Sequence, residues 1–204
     1  MYWIKAQSPG WRSVPILVRW PAQSLHRMLV LIPMNGRDQA KQEALRAMVQ
    51  RDQQVRNAFA DAQRRGDTDE VSQLERAMEL VDADNTSQLR RWVADAGFPR
   101  AHDVGYEGVG NAWLLIQHSP LIADLLPQLR AAAQVGELPR SDLALSEDRA
   151  RMHAGQPQRF GSQLQPGPDG KLALYPLESA ENVESLRESM DLEPLADYLK
   201  RFGR

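Results

Sequence analysis

The sequence predicts a mainly helical protein: a single helical domain of about six to eight helices with one small β-hairpin near residues 158–177. Two observations support this. Apolar residues recur at spacings of three and four along most of the chain, which is the period of a helix packed on one side. Near residues 158–177 the period changes to alternation on both sides of a Pro- and Gly-rich turn, which is typical of a hairpin.

The first 34 residues differ from the rest of the chain. They contain no Asp or Glu, three of the five Trp residues and four Pro residues, which interrupt any helical pattern. The apolar run 28–32 follows four basic residues, but it is shorter than the 7–15 or so residues of a signal peptide's apolar region. We interpret 1–34 as an atypical N-terminal extension, either a docked arm or the result of a start codon set too early, and 35–204 as the helical domain.

Composition limits the function classes. The chain lacks Cys, which excludes disulfides, thiolate nucleophiles and Cys–zinc sites. The formal net charge of -2 gives no global electrostatic case for nucleic acid or an anionic membrane. No apolar run approaches the roughly 20 residues that span a bilayer. We therefore expect a cytoplasmic protein with no membrane span, no nucleic-acid partner and no cofactor.

Three helices are predicted before residue 97. The first begins near residues 35–38 and ends at Arg65. Asp67 or Thr68 can cap a second helix that ends near residue 81, because short polar side chains bind the free amides of a first turn. The segment 84–86 also consists of short polar residues that can cap a helix, and it predicts the start of a third, short helix. Residues 97–110 contain four glycines and are interpreted as a connector.

The second half of the chain predicts further helices. Residues 111–118 are apolar on nearly all sides, which is typical of a helix in the middle of a domain. Ser119 can cap and Pro120 can open the next helix, which runs to Gln134 with a kink or split at Pro127. Another helix starts near residue 139, a polar helix spans 179–190, and Pro194 opens the last one.

Several polar residues stand beside apolar ones at helical spacing. Asp52 and Arg56 lie at or next to the apolar stripe of the first helix, where they form either an ordinary ion pair or a polar pair in a pocket. His118 lies where one buried helix ends and another begins. A single His near a core is either a structural residue or an acid–base group, since it titrates near neutral pH.

These residues occur in ordered short motifs: Met48-x-x-x-Asp52-Gln53-x-x-Arg56, Gly97-Phe98-Pro99, Gln117-His118, Asp148-Arg149 and Gln158-x-Phe160-Gly161-Ser162-Gln163. The series resembles a bacterial domain family without an assigned function, over about residues 43–202. In that family the corresponding segments look like Gly-Trp-Pro, Gln-His-Ala-Asp, Asp-Arg and Tyr-Gly-Thr-Gln. This chain has Ser119-Pro120 in place of Ala-Asp and Phe160 in place of Tyr. The resemblance implies that the residues belong together, and it implies no chemistry.

The first functional hypothesis is a polar pocket that binds a small anionic ligand. His118 acts as the acid or base and Asp148 orients it, so these two are the candidate catalytic residues. Arginine side chains suit a phosphate or carboxylate group, and amides suit polar edges. The candidate ligand-binding residues are Asp52, Gln53, Arg56, Gln117, Arg149, Gln158 and Gln163.

Two alternatives remain. In the second hypothesis the chain is a non-catalytic interaction or immunity-type protein, with a protein partner, and the same polar residues form a hydrogen-bonded structural network. A metal site is a weaker third option, and no metal ligand is assigned. The four His residues show no paired spacing, so His118, His153 and Asp148 would have to converge through the fold.

Overall fold

The computed structural model describes residues 38–167 and 172–202 with their side chains, and residues 11–19 and 25–33 as backbone strands. The described residues contain seven helices, so the predicted fold class is confirmed. In chain order the helices are α1 Gln39–Arg65, α2 Thr68–Ala96, α3 Ala101–Gln117, α4 Ile122–Gln134, α5 Arg140–His153, α6 Val183–Ser189 and α7 Leu195–Lys200. The strands are β1 Trp11–Arg19, β2 Leu25–Pro33, β3 Leu164–Pro166 and β4 Leu172–Leu174.

The core is built around α3 and α4, as the apolar composition of these helices predicts. Ala112, Leu115, Ile116 and Leu129 are at most 1 % exposed. Fully burying a Leu or Ile side chain contributes about 1.5–3 kcal/mol, so this layer accounts for much of the stability of the domain. Leu45 of α1 and Leu89 of α2 extend the core to the first two helices.

α1 begins and ends where the sequence predicts. The Asp38 side chain accepts a hydrogen bond from the backbone N–H of Lys41 at 2.8 Å and caps the first turn. Gly66, in the left-handed conformation, ends the helix. Asp67 then caps α2 by accepting from the backbone N–H of Glu70 at 3.0 Å. The two long helices pack against each other across this short connection.

α2 is one continuous helix of 29 residues, so the prediction of two helices with a cap at residues 84–86 was wrong. The segment between the predicted helices contains no Gly or Pro, and nothing in its backbone ends the helix. Its polar side chains have another use. Asp84 and Asn85 both accept hydrogen bonds from Arg51 of α1, at 2.6 and 3.0 Å.

α3 covers most of the segment that was predicted as a Gly-rich connector, which corrects that prediction. The segment is helical from residue 101, with one break at Gly105, where φ is 71° and ψ is 168°. The start of α1 binds backbone carbonyls beside this break: the N–H of Asp38 donates to the carbonyl oxygen of Asp103 at 2.9 Å, and the amide of Gln42 donates to that of Val104.

α4 starts two residues later than predicted and runs through Pro127 as one helix, so the predicted split does not occur. The hydroxyl of Ser119 accepts from the N–H of Leu121 at 3.2 Å and donates to the carbonyl oxygen of Ile116 at 3.0 Å. Ser119 therefore stabilises the turn between α3 and α4 rather than capping a first helical turn at Pro120.

The C-terminal hairpin is confirmed but shorter than predicted. β3 and β4 pair antiparallel, with Leu164 opposite Leu174. Residues 158–163, which were predicted as part of the strand, form a loop in which Gly161 has a φ of 69°. In the part of the chain that the structure describes, no helix is long and apolar enough to cross a bilayer.

The N-terminal segment contains an antiparallel hairpin that the sequence analysis did not predict. β1 and β2 pair in register from Trp11 opposite Pro33 to Arg19 opposite Leu25. The choice between a docked arm and an early start codon falls outside the described residues.

Candidate functional site

His118 and Asp52 form a hydrogen-bonded pair at the end of α3. His118 Nδ1 lies 3.0 Å from Asp52 Oδ1, although 66 residues separate the two along the chain. Asp52 is fully buried, whereas the His118 side chain keeps 17 % of its surface exposed. The pair therefore places a buried carboxylate behind an imidazole that solvent can reach.

Two further side chains hold the Asp52 carboxylate. The amide of Gln53 donates to Oδ2 at 2.8 Å, and Nε of Arg56 donates to Oδ1 at 3.1 Å. Burial raises the pKa of the Asp52 carboxyl. The hydrogen bonds from His118 and Gln53 and the charges of His118 and Arg56 outweigh burial, so this pKa lies below its usual value. Asp52 is therefore ionised at neutral pH.

Asp82 completes this cluster, and the sequence analysis missed it. Arg56 donates to Asp82 Oδ1 at 2.5 Å and so links α1 to α2. The segment around Asp82 was interpreted as the end of a helix. The spacing Met78, Asp82, Asn85 and Leu89 is the signal that could have found it, because it continues one helical face.

His118 and Asp82 line an open groove of about 420 Å³ on the surface of α2. The groove also has hydroxyl and guanidinium groups on its walls, which could bind polar parts of a ligand. Its lining residues are Asp82, Ala83, Thr86, Ser87, Arg90, His118 and Pro120.

The cluster also has the composition of a cation site. Ligand atoms of Asp52, Asp82 and His118 lie within 4.8 Å of one another. However, the Arg56 guanidinium is hydrogen-bonded to both carboxylates and supplies the positive charge between them. A metal ion would have to displace this guanidinium, so the geometry favours an ion-pair cluster over a metal centre. The side chain of His153 is absent from this group, contrary to the weaker metal hypothesis.

Gln117 and Arg149 lie against each other beside this cluster. The Gln117 side-chain amide donates to the hydroxyl of Ser146 at 2.7 Å. The backbone carbonyl oxygen of Gln117 accepts from Arg149 NH1 at 3.0 Å. Burial lowers the pKa of Arg149, and the positive charge of Arg56 lowers it further.

Asp148 does not contact His118; it shapes the loop 158–163. Its carboxylate accepts from the backbone N–H groups of Arg159, Phe160 and Ser162 at 2.7–3.2 Å, and from the Ser162 hydroxyl at 2.9 Å. The residue that orients His118 is therefore Asp52, and the geometry gives the predicted orienting role of Asp148 no support.

Gln158 and Gln163 belong to the same loop. The Gln158 amide donates to the carbonyl oxygens of Gln163 and Tyr175, at 3.0 and 2.7 Å, and its oxygen accepts from the backbone N–H of Gln163 at 2.8 Å. Both side chains are buried. They hold the loop against β4, and within the described residues they make no hydrogen bond to the His118 cluster.

The buried guanidinium of Arg187, which carried no recognisable sequence signal, supports this loop from α6. It donates to the carbonyl oxygens of Phe160 and Glu193 at 2.6 and 2.7 Å, and it lies 5.2 Å from the ring centre of Tyr198. The Tyr198 hydroxyl in turn donates to the carbonyl oxygen of Ser162 at 2.7 Å. The loop is thus fixed from α5, α6 and α7.

The predicted residues separate into two groups. Asp52, Gln53 and Arg56 form one hydrogen-bonded cluster with His118, and of these only His118 lines the groove. Gln117 and Arg149 bond to each other next to His118. Asp148, Gln158 and Gln163 form a separate hydrogen-bonded loop anchor. The first group joins an ionised carboxylate to an imidazole that solvent can reach, and the second group contains no histidine.

Comparisons with known proteins support a family but no activity. No curated protein and no solved structure matches this chain. A family model described as "Family of unknown function (DUF6624)" matches residues 39–203, which include every described residue of the His118 cluster and the loop anchor. On this match over most of its length, the chain belongs to that family of unknown function.

Proposed function

We propose that the chain binds a small anionic ligand at the His118 groove and that His118 acts there as an acid or base. The observation that carries this proposal is the 3.0 Å contact between His118 Nδ1 and the buried Asp52 carboxylate. An ionised carboxylate accepts the proton of Nδ1 and fixes the tautomer of the ring. The second ring nitrogen, Nε2, is then an acceptor for a ligand proton.

The surroundings of Asp52 support this role. Arg56 and Gln53 hold both carboxylate oxygens, so Asp52 keeps one orientation and directs the imidazole. A group that orients a base in this way contributes to proton transfer without touching the ligand. Transfer of a phosphoryl or acyl group to water is a reaction class that such a pair can assist.

A second candidate function is an interaction protein without catalysis. The loop anchor favours it, because the hydrogen bonds of Asp148, Gln158 and Gln163 all go to other protein groups. A satisfied buried network specifies one packing and does not require a ligand. This explanation accounts for the loop but not for an accessible histidine paired with a buried carboxylate.

The first test is the tautomer of His118, measured by long-range ¹H–¹⁵N NMR on the full chain. At a pH where the ring is neutral, we expect the proton on Nδ1. Asp52→Asn should lose this preference. A proton on Nε2 in the wild type would contradict the proposal, whatever the ligand is. His102, which is exposed on α3, serves as an internal reference.

The second test is catalytic. Wild type, His118→Gln and the control His102→Gln are assayed on p-nitrophenyl esters and p-nitrophenyl phosphate. Loss of an acid or base typically lowers the rate about 10²–10⁴-fold, so we expect that loss in His118→Gln alone. Equal kcat/KM values for wild type and His118→Gln would reject the acid–base role and favour the interaction protein.

A further inference from the structure

Beside the His118 site, we infer that Arg149 binds two oxygens of an oxyanion group, a carboxylate or a phosphate, on the ligand. This inference deepens the proposed function and rests on it for the position of the reacting group. It assigns the ligand's charged group to one side chain and to one edge of its guanidinium.

Within the described residues, Arg149 donates hydrogen bonds from only one nitrogen of its guanidinium, NH1. NH1 donates to the carbonyl oxygen of Gln117 at 3.0 Å. Nε is buried and makes no hydrogen bond. No carboxylate of the side-chain-described residues lies within ion-pair distance of this group. A buried N–H without an acceptor costs about 1–3 kcal/mol, so the missing acceptor requires an explanation.

Two other arginines of this chain show what normally fills that edge. Nε and NH2 of Arg46 both donate to Glu107 at 3.0 Å. Nε and NH2 of Arg140 donate to Asp191 at 2.9 and 3.0 Å. In each pair the two parallel N–H groups match the two oxygens of a carboxylate. Arg149 presents the same edge without such a partner.

Arg187 shows that a buried arginine of this protein can be satisfied without a carboxylate. Its Nε and NH1 both donate to backbone carbonyl oxygens, at 2.7 and 2.6 Å. Nothing comparable reaches Nε of Arg149. The unfilled edge is therefore specific to Arg149 and is not a general consequence of burying a guanidinium in this fold.

The charges near Arg149 favour an anion at this edge. The negative charges of Asp52 and Asp82 are already bound to Arg56. The positive charge of Arg56 repels that of Arg149, and an anion between or beside the two groups would relieve this repulsion. Nε of Arg149 therefore lacks a hydrogen-bond acceptor, and the guanidinium has no carboxylate counter-charge among the described residues.

The position of Arg149 connects the oxyanion to the proposed chemistry. Its NH1 is bonded to Gln117, the residue directly before His118. Arg56, whose charge acts on Arg149, is bonded to the same Asp52 that binds His118. An oxyanion on Arg149 would hold the ligand beside the imidazole, which is how an anchoring group positions a reacting one.

The test is a titration of the full chain with inorganic phosphate and, separately, acetate at constant ionic strength, followed by the ¹H–¹⁵N signals of arginine Nε. We expect the Arg149 Nε signal to shift with at least one probe, and the stronger probe identifies the oxyanion class. Arg149→Lys keeps the charge but removes the paired donors, and should weaken binding at least tenfold. Arg76→Lys, an exposed substitution on α2, is the matched control and should bind as the wild type does.

Two outcomes would overturn the inference: an Arg149 Nε signal that neither probe moves, or equal binding by wild type and Arg149→Lys. His118→Gln separates the two proposals, since it should keep anion binding at Arg149 while losing proton transfer. If His118→Gln binds the probe normally and no variant affects catalysis, the acid–base role fails and the oxyanion site stands.

Discussion

Two fully buried aspartates in this protein have different surroundings. Asp52 accepts hydrogen bonds from side chains, including an imidazole that solvent can reach. Asp148 accepts from the backbone of one loop and from the Ser162 hydroxyl in that loop. An imidazole can transfer a proton to or from a ligand near neutral pH, whereas a peptide N–H is far too weak an acid to do so. This difference at single residues separates the candidate site from the loop anchor.

We expect Asp52→Asn to lower the free energy of unfolding by about 2 kcal/mol at pH 7, because the buried partners of the carboxylate lose its charge. The pKa of Asp52 is below its usual 3.8 in the folded chain, so its stabilisation is present above that value and is lost as the pH falls further. Urea unfolding at pH 7 and near pH 3 should show the difference between wild type and variant shrinking in acid. A constant difference would contradict this.

Asp142 should behave in the opposite way. Burial raises the pKa of Asp142 to about 6, and its carboxylate makes no hydrogen bond with the described residues. A raised pKa means that ionisation costs stability above pH 6, and that the cost disappears below the unfolded value of about 3.8. Asp142→Asn should therefore stabilise the protein by about 1–2 kcal/mol at pH 8 and by nothing near pH 3. Thermal unfolding at the two pH values checks this.

Asp148→Ala should lower the free energy of unfolding more than Asp52→Asn does. It leaves the N–H groups of Arg159, Phe160 and Ser162 buried without an acceptor, so we expect a loss of about 3 kcal/mol or more. Urea unfolding measures the loss, and hydrogen exchange of these three amides should accelerate selectively. Exchange that stays slow at all three would show that the carboxylate does not hold the loop.

At the scale of helices and strands, the sequence predicts what local chemistry decides. Asp38 and Gly66 marked the two ends of α1 correctly, and Asp67 marked the start of α2, because caps act within a few residues. The cap predicted at residues 84–86 failed because Asp84 binds Arg51 of another helix instead. The loop 158–163 was predicted as a strand because its alternation is real, but distant Asp148 determines its shape. Contacts between helices are not visible in local spacing.

The break in α3 gives a prediction with an internal control. Gly105 has a φ of 71° and a ψ of 168°, a conformation almost restricted to glycine, so Gly105→Ala should destabilise by about 1–3 kcal/mol. Gly110 lies in the regular part of the same helix with open space around its Cα, and Gly110→Ala should stabilise by up to about 1 kcal/mol. Melting temperatures of the two variants should move in opposite directions.

At the scale of the molecule, the candidate site depends on three helices. Asp52 comes from α1, Asp82 from α2 and His118 from the end of α3. The ordered motifs predicted that Asp52, Arg56 and His118 belong together. Asp82 and the free edge of Arg149 could not be predicted, because they depend on how α2 and α5 pack against the other helices. Sequence spacing also could not separate the loop anchor from the groove.

The family match begins at residue 39, which predicts that the helical domain folds without the N-terminal extension. A chain of residues 38–204 keeps Asp38 and every buried core residue of the described part. We expect it to unfold in one cooperative transition with the helical circular dichroism of the full chain. A chain that does not unfold cooperatively would show that the first 37 residues are needed for folding.

The contact at the Gly105 break also fixes how far α1 and α3 can shift lengthwise. From the hydrogen bond between Asp38 and Asp103 to the His118–Asp52 pair is 14 residues along α1 and 15 along α3. Both stretches measure about 20 Å at 1.5 Å per residue, so nearly equal lengths of α1 and α3 place Asp52 level with His118. One inserted residue in either stretch would turn its last side chain by about 100° and part the acid from the imidazole. Length variation among relatives of this chain should therefore avoid both stretches.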